Sequence, residues 1–314
     1  VNAFAANTAR PLVLRKRAMK TVVVTGILGQ LGWEMERSAP SWARLVGADL
    51  PETDITRSDH VERLFLENRP EVVVNAAAYT AVDRAEQEPE AAYRINRDAV
   101  SLLARTCAQF GTHLVHLSTD FVFDGALSRP YRPDDAPNPL GVYGASKRAG
   151  EEAVLQILKE KGTIVRTAWL YSSHGANFVK TMLRLFQERD EVRVVSDQVG
   201  TPTWAANLAD FLWGLVERES VPAGIYHFTD AGVASWYDFA VAVEEETRHR
   251  RSRPVLVRPI RTEDYPTPAR RPSYSVLDKQ AAWALWGRRP DHWRDALRRM
   301  LLELEETEKL FPKT

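Results

Sequence analysis

Lys20-Thr21-Val22-Val23-Val24-Thr25-Gly26-Ile27-Leu28-Gly29-Gln30-Leu31-Gly32 is the stretch on which the fold turns. Its three consecutive valines form an unbroken β-branched apolar run. That is the pattern of a strand buried on both faces, not of an alternating, half-solvated one. The run stops at Thr25-Gly26, and residues 30–39 then read as a helix. Glycines between a strand and a helix permit a tight turn, let backbone approach a pyrophosphate and allow close helix–strand packing. The helix start adds unpaired N–H donors and a positive dipole end. Gly26, Gly29, Gln30, Leu31 and Gly32 are therefore candidate dinucleotide contacts.

Working outward, Leu45-Val46-Gly47-Ala48-Asp49 reads as a second strand, and Asp49 stands seventeen residues past Gly32 (32 to 49). A carboxylate there accepts hydrogen bonds from an adenosine ribose. It would also repel a 2′-phosphate, and Leu50 and Pro51 bring no compensating arginine, so Asp49 slightly favours NADH over NADPH. Asp54, Ile55 and Ala76-Ala77-Ala78, at or beyond strand ends, would surround the adenine and ribose.

The alternation continues along the chain. Residues 58–67 are helical, 71–75 a strand, about 90–109 a long helix, 112–117 a strand, 144–160 a helix and 163–167 a strand. Continuous apolar strands, each followed by a helix, mean an α/β fold: a doubly wound parallel sheet of Rossmann type. Beyond about residue 170, proline and arginine accumulate; helices are expected at 176–189, 204–217 and 235–249, and a strand at 224–227. This predicts a disordered extension at 1–18, a dinucleotide-binding domain at 19–170 and a smaller, interleaved, mainly substrate-binding domain at 171–314. Segments at about 204–227 would return to the first domain.

The composition excludes several classes. The 314 residues balance 42 Lys+Arg against 42 Asp+Glu, which argues against a whole-surface grip on nucleic acid or anionic lipid. No apolar run approaches the ~18–20 residues that span a bilayer. A single cysteine, Cys107, rules out a disulfide scaffold or a Cys-rich zinc module and reads as a core residue. His113 and His116 have no metal-ligand spacing, so no metal site is assigned, and no Gly-x-Ser-x-Gly or phosphate-loop lysine is present. These features predict a soluble cytoplasmic protein.

Tyr143-Gly144-Ala145-Ser146-Lys147 places a phenol and an ammonium four residues apart on one helical face. It follows a strand ending Leu117-Ser118-Thr119-Asp120, at the sheet edge where ligands bind. An ammonium beside a phenol is expected to lower the phenol pKa toward neutrality. Tyr143 could then give a proton to a carbonyl that receives hydride, with Thr119 bonded to the substrate oxygen and Lys147 holding the nicotinamide ribose.

Together these residues resemble the extended short-chain dehydrogenase/reductase superfamily and, within it, the dTDP-4-dehydrorhamnose reductase family, from about Lys20 to residue 300. The blocks that carry the likeness include 29–34, 74–83, Ser118–Gly125, 139–144, 166–169, 197–203 and 265–272. The resemblance implies NADPH- or NADH-dependent reduction of the C4 ketone of a dTDP-6-deoxyhexosulose. Tyr143 would be proton donor, Lys147 its partner, and Thr119 a tuning group. Leu117, Tyr143 and Lys147 would join the cofactor contacts; Thr119, Asp120 and Trp169 would contact the nucleotide sugar. Phe121 departs from the family, which usually has Tyr there, and leaves a 4-ketoreductase for another deoxysugar open. Residues 248–271 carry eight arginines, of which Arg271, inside a family block, is a candidate for the substrate diphosphate. Mg²⁺ and a homodimer stay open from the resemblance. Two rival readings share the fold. A dehydratase or epimerase has the same Tyr–Lys pair, but dehydratases place two acids after the threonine where this chain has Asp120-Phe121. The regulatory subunit of methionine adenosyltransferase is the non-enzymatic rival.

Overall fold

The computed structural model describes residues 19–310; the extension expected at 1–18 lies outside them. The central strands are β1 Lys20–Thr25, β2 Ala43–Ala48, β3 Val72–Asn75, β4 His113–Thr119, β5 Gly162–Thr167 and β6 Gly224–His227. The principal helices are α1 Gln30–Arg37, α2 Ser58–Asn68, α3 Val100–Phe110, α4 Val142–Leu158, α5 Phe178–Glu188, α6 Ala205–Val216, α7 Trp236–Thr247 and α8 Trp293–Leu310. The sheet order is β2-β1-β3-β4-β5-β6, with every pair parallel. The order reverses between β1 and β3, which opens a crevice beyond the carboxyl ends of those strands.

The apolar runs are buried as continuous strands require. Val22 and Val24 face Met35 of α1 and Leu208, Phe211 and Leu212 of α6. Val23, between them, faces Phe65 of α2, Leu103 of α3 and Val154 of α4 on the opposite side. All three valines are fully buried, and each stabilises the sheet by roughly 1.5–3 kcal/mol. Strand β6, far along the chain, pairs with β5, and the Trp213 indole of α6 donates to the Met35 carbonyl of α1. A separate core joins α5, α7 and α8 around Tyr171, Phe186, Phe239 and Met300.

The long helix expected at about 90–109 is broken. Pro89–Tyr93 is α-helical, Arg94–Ala99 forms a π turn, and α3 follows. Within the π turn the buried Asn96 accepts from Tyr79 N at 2.9 Å and donates to Tyr79 O and to Ser146 Oγ. The extra residue thus turns a polar side chain inward, between the segment after β3 and α4.

Helix α4 is fastened to the sheet by a buried ion pair. Arg166 of β5 donates from Nε and one terminal nitrogen to the two Glu151 oxygens, both at 2.7 Å, and neither side chain has exposed surface. The basic run 248–271 is mostly paired at the surface: seven of its eight arginines form ion pairs, with Arg270 the exception among the described residues. No helix among the described residues is long and apolar enough to cross a membrane.

Candidate active site

A cleft of about 850 Å³ lies over the carboxyl edge of the sheet. Its floor at one end is the β1–α1 turn, where Gly26, Gly29, Gln30, Leu31 and Gly32 all line the wall. Gly26 has φ +72°, and a Cβ added to Gly32 would stand 2.3 Å from the Gly26 carbonyl oxygen. The N-cap of α1 is Gly29, which offers no side-chain cap to the first N–H groups. The turn is therefore shaped for a close-approaching anion, and a dinucleotide diphosphate fits it.

Asp49 follows β2 directly and lines the same end with Asp54, Ile55 and the Ala76-Ala77-Ala78 strip beyond β3. Its carboxylate accepts from Leu28 N at 3.0 Å and Leu50 N at 2.9 Å, which ties the second strand to the glycine turn. Asp54 accepts from Thr56 N and Oγ1, and these bonds hold its carboxyl below the usual range. The exposed side chains of Leu28 and Leu50 flank Asp49 in the cleft.

Leu117, Thr119, Asp120, Tyr143 and Lys147 meet at the middle of the cleft. Tyr143 and Lys147 lie in the first two turns of α4, and Lys147, almost wholly buried, donates to Leu117 O at 2.6 Å. Burial pulls the Lys147 pKa down to about 8, against the attraction of Glu151 one turn on. The expectation of a phenol pKa near neutrality is not met. Burial pushes Tyr143 up to about 12, with the Thr119 hydroxyl acting the other way and the Asp120 charge adding to the rise. The ammonium is engaged by a backbone carbonyl, and the phenol loses more from leaving water than a neighbouring cation returns. Thr119 Oγ1 accepts from Phe121 N and donates to Asp120 Oδ1, both at 3.1 Å. Asp120 is buried, its Oδ2 has no hydrogen-bond partner among the described residues, and burial raises its pKa to about 6.

The far end is aromatic. Trp169 lies flat on Trp236, ring centroids 3.6 Å apart and planes 7° from parallel. Trp169 holds φ +49°, a left-handed conformation that costs a non-glycine residue roughly 1–2 kcal/mol. Trp236 is fixed as the first residue of α7 by the Ser235–Asp238 capping box. Phe121 sets its ring edgewise on Tyr143 at 5.6 Å. Arg271 lines the wall, but its guanidinium is committed. It makes bonds of 3.0 and 2.7 Å to the two Asp83 oxygens and others to Thr267 Oγ1 and Ala269 O. That grip ties the chain at 269–271 to the segment after β3.

Every candidate cofactor, catalytic and substrate residue read from the sequence thus lines one cleft. Sequence reasoning missed Arg94, Trp236, Gly175 and Ala176, which also line it. Trp236 had a usable signal in the Ala-Ser-Trp-Tyr-Asp helix start; Arg94 lies within the stretch expected as one long helix and carries no comparable signal. His113 and His116 are buried within β4, an interior strand, bonded to Thr163 Oγ1 and to the Asn75 amide. Cys107 is buried in the core.

A doubly wound sheet, a glycine turn and a Thr–Tyr–Lys set lining one cleft define a short-chain dehydrogenase/reductase type of oxidoreductase. Comparison with known proteins narrows this class. The chain belongs to the family described as RmlD substrate binding domain, whose model matches residues 19–306. It is 46% identical over 283 residues to the dTDP-4-dehydrorhamnose reductase of Streptomyces griseus, covering 88% of this chain and 91% of that protein. It is 40% identical over 286 residues to the spore coat polysaccharide biosynthesis protein SpsK of Bacillus subtilis, covering 91% and 98%. The crystal structure of dTDP-4-dehydrorhamnose reductase from Bacillus anthracis in complex with NADP superposes with a TM-score of 0.85 at 37% identity, covering 90% of this chain and 99% of that one.

Proposed function

We propose that this protein reduces the C4 ketone of dTDP-4-dehydro-6-deoxy-L-mannose to the alcohol of dTDP-L-rhamnose, with NADPH or NADH as reductant and Tyr143 as proton donor. The observation that carries the reading is the convergence of Thr119, Tyr143 and Lys147 midway between the glycine turn and the Trp169–Trp236 wall. The glycine turn would hold the diphosphate of a reduced dinucleotide, which when bound would supply hydride to the carbonyl carbon. Tyr143, held neutral by burial, gives its phenolic proton to the carbonyl oxygen as negative charge builds there. Thr119 would turn its single hydroxyl proton from Asp120 Oδ1 to the same oxygen. Lys147, cationic below about pH 8, stabilises the phenolate left behind.

The electrostatics favour NADH to a modest degree. Asp49 lines the end of the cleft assigned to the ribose in this reading, and the cations lining the cleft are Arg94, Lys147 and Arg271, of which Arg271 is paired. The sugar half takes the deoxysugar ring against Trp169 and Phe121, with Asp120 toward a sugar hydroxyl. The loss of a hydroxyl at Phe121 makes another dTDP-4-ketodeoxysugar the competing substrate. A division near residue 170 into cofactor-binding and mainly substrate-binding parts belongs to the same reading. Among the described residues of one chain no group of three His, Cys, Asp or Glu could hold a metal ion.

The test is oxidation of NADPH and NADH with the keto-sugar generated in situ, wild type beside Tyr143→Phe. Turnover that the substitution abolishes supports the reading and ranks the cofactors. A folded, dinucleotide-binding wild type that leaves the substrate untouched moves the assignment to another keto-sugar. Binding without turnover of any keto-sugar would favour the regulatory-subunit reading.

A further inference from the structure

The geometry points to Glu34 as a positioning residue that, with Gln30, holds the segment Ser172–Asn177 over the glycine turn and makes it the outer wall of the site for the dinucleotide diphosphate. The inference rests on the dinucleotide reading above and extends it to a segment that follows the sheet's fifth strand.

Glu34 is 1% exposed, an unusual place for a carboxylate. One of its oxygens accepts from Ser172 Oγ at 2.7 Å, the other from Arg37 Nε at 2.6 Å. One turn earlier on α1, Gln30 Oε1 accepts from Asn177 Nδ2 at 3.0 Å. Residues four apart share a helical face, so α1 grips the first and last residues of a six-residue loop. Between those grips the His174 ring stacks on Trp33, centroids 5.2 Å apart and planes 7° from parallel. Its Nε2–H donates to the Leu28 carbonyl of the glycine turn at 3.1 Å. Asn177 closes the loop on itself by donating to Ser172 O, and its Oδ1 caps α5.

This places Gly175 and Ala176 on the cleft wall beside the turn. Gly175 has φ +71°, which suits glycine, and an added Cβ would meet Gln30 Cγ at 3.1 Å. The backbone N–H groups of both residues carry no hydrogen bond among the described residues. Successive free N–H groups beside a helix start suit an anion held from two sides. A buried carboxylate is costly to keep, and here it joins the two parts of the chain at the edge of the cofactor site.

Rapid-mixing displacement of bound NADPH and NADH from the full chain tests the assignment. Glu34→Ala should raise the dissociation rate and the cofactor KM about ten-fold, with kcat at saturating cofactor undiminished and the sugar-nucleotide KM within two-fold. Glu34→Gln keeps an acceptor for Ser172 and should recover most of the affinity. Ser172→Ala and Gly175→Ala disturb the wall from its other side and should also speed release. Melting of the cofactor-free variants identifies any that fail to fold. Release at the wild-type rate from the folded variants overturns the wall, as does a Glu34→Gln protein as impaired as Glu34→Ala. A wild type that binds neither dinucleotide overturns the reductase reading together with it.

Discussion

The half of the cleft proposed for the dinucleotide is built mainly from backbone, and the half proposed for the sugar from side chains. Gly26, Gly29 and Gly32, Asp49, and Ala76 to Ala78 stand at the ends of β1, β2 and β3, and the parallel sheet alone brings them together. Phe121, Trp169, Trp236 and Arg271 come from four separate segments and are held by ring stacking and a salt bridge. A backbone-built site tolerates no added atom. One built from side chains can be retuned by single substitutions.

Tyr143 sits at the seam, and its removal should have the largest effect. Tyr143→Phe takes away the proposed proton donor and is expected to cut kcat by about 10²–10⁴ with dinucleotide affinity retained. Steady-state rates beside a binding titration check this; loss of both would put Tyr143 in cofactor binding instead. Next comes the ion pair that fastens the seam to the sheet. Arg166→Met leaves Glu151 buried and unpaired apart from the half-buried Arg148, and should cost about 3–5 kcal/mol in denaturant unfolding. A cost under about 1 kcal/mol would show that α4 is held by packing alone.

Gly32→Ala probes the backbone half directly. The added Cβ would press on the Gly26 carbonyl and on Ile27 Cα at 2.4 Å, a strain of roughly 1–3 kcal/mol. The expected result is dinucleotide Kd raised ~10–100-fold, with the sugar end unaffected. Calorimetric titration with NADPH and NADH reads it, and an unchanged Kd would break the contrast between the halves.

The pH profile sharpens the seam. Lys147 has a folded pKa of about 8, below its ordinary value, so its charge is present below pH 8 and lost above it. Tyr143, near 12, stays protonated throughout. In the reductive direction kcat/KM should therefore fall above pH 8, by about ten-fold at pH 9. The stability sign is the reverse. A depressed cation contributes stability that is full above its ordinary value and lost as pH falls through about 8. Lys147→Arg keeps the charge at every working pH and should remove the alkaline limb from whatever activity remains. A wild-type profile flat from pH 7 to 9 would break the assignment.

The same contrast decides what was legible in the sequence. Val22 to Val24, the glycine turn and the Tyr143–Lys147 spacing are local patterns, and a parallel sheet converts them into position by rule. Ala76 to Ala78 followed from lying at a strand end, and Leu117 from the family resemblance. Arg271 was legible as a cleft residue but not as the partner of Asp83, 188 residues away. The π turn at Arg94–Ala99 left no mark in a helical pattern, since one added residue disturbs the period only locally. The direction of the Tyr143 shift also escaped, because desolvation depends on what covers the hydroxyl, and spacing reports only which charge is near. Self-consistent local segments could be read; contacts between remote segments needed the folded chain.

Trp236 gives the smallest and most discriminating effect. Its ring backs Trp169, which holds a left-handed backbone conformation, and Phe178 lies behind it at 4.7 Å. Trp236→Ala removes a stack worth about 0.5–1.5 kcal/mol and leaves Trp169 free to leave the cleft wall. The expected outcome is a sugar-nucleotide KM raised roughly three- to ten-fold, with kcat and dinucleotide Kd close to wild type. Trp236→Phe keeps an aromatic face and should fall between the two. Parallel titrations with dinucleotide and sugar nucleotide measure this. A dinucleotide Kd that moves as far as the sugar KM would show that the aromatic wall serves both ligands, and the two halves would then be a single site.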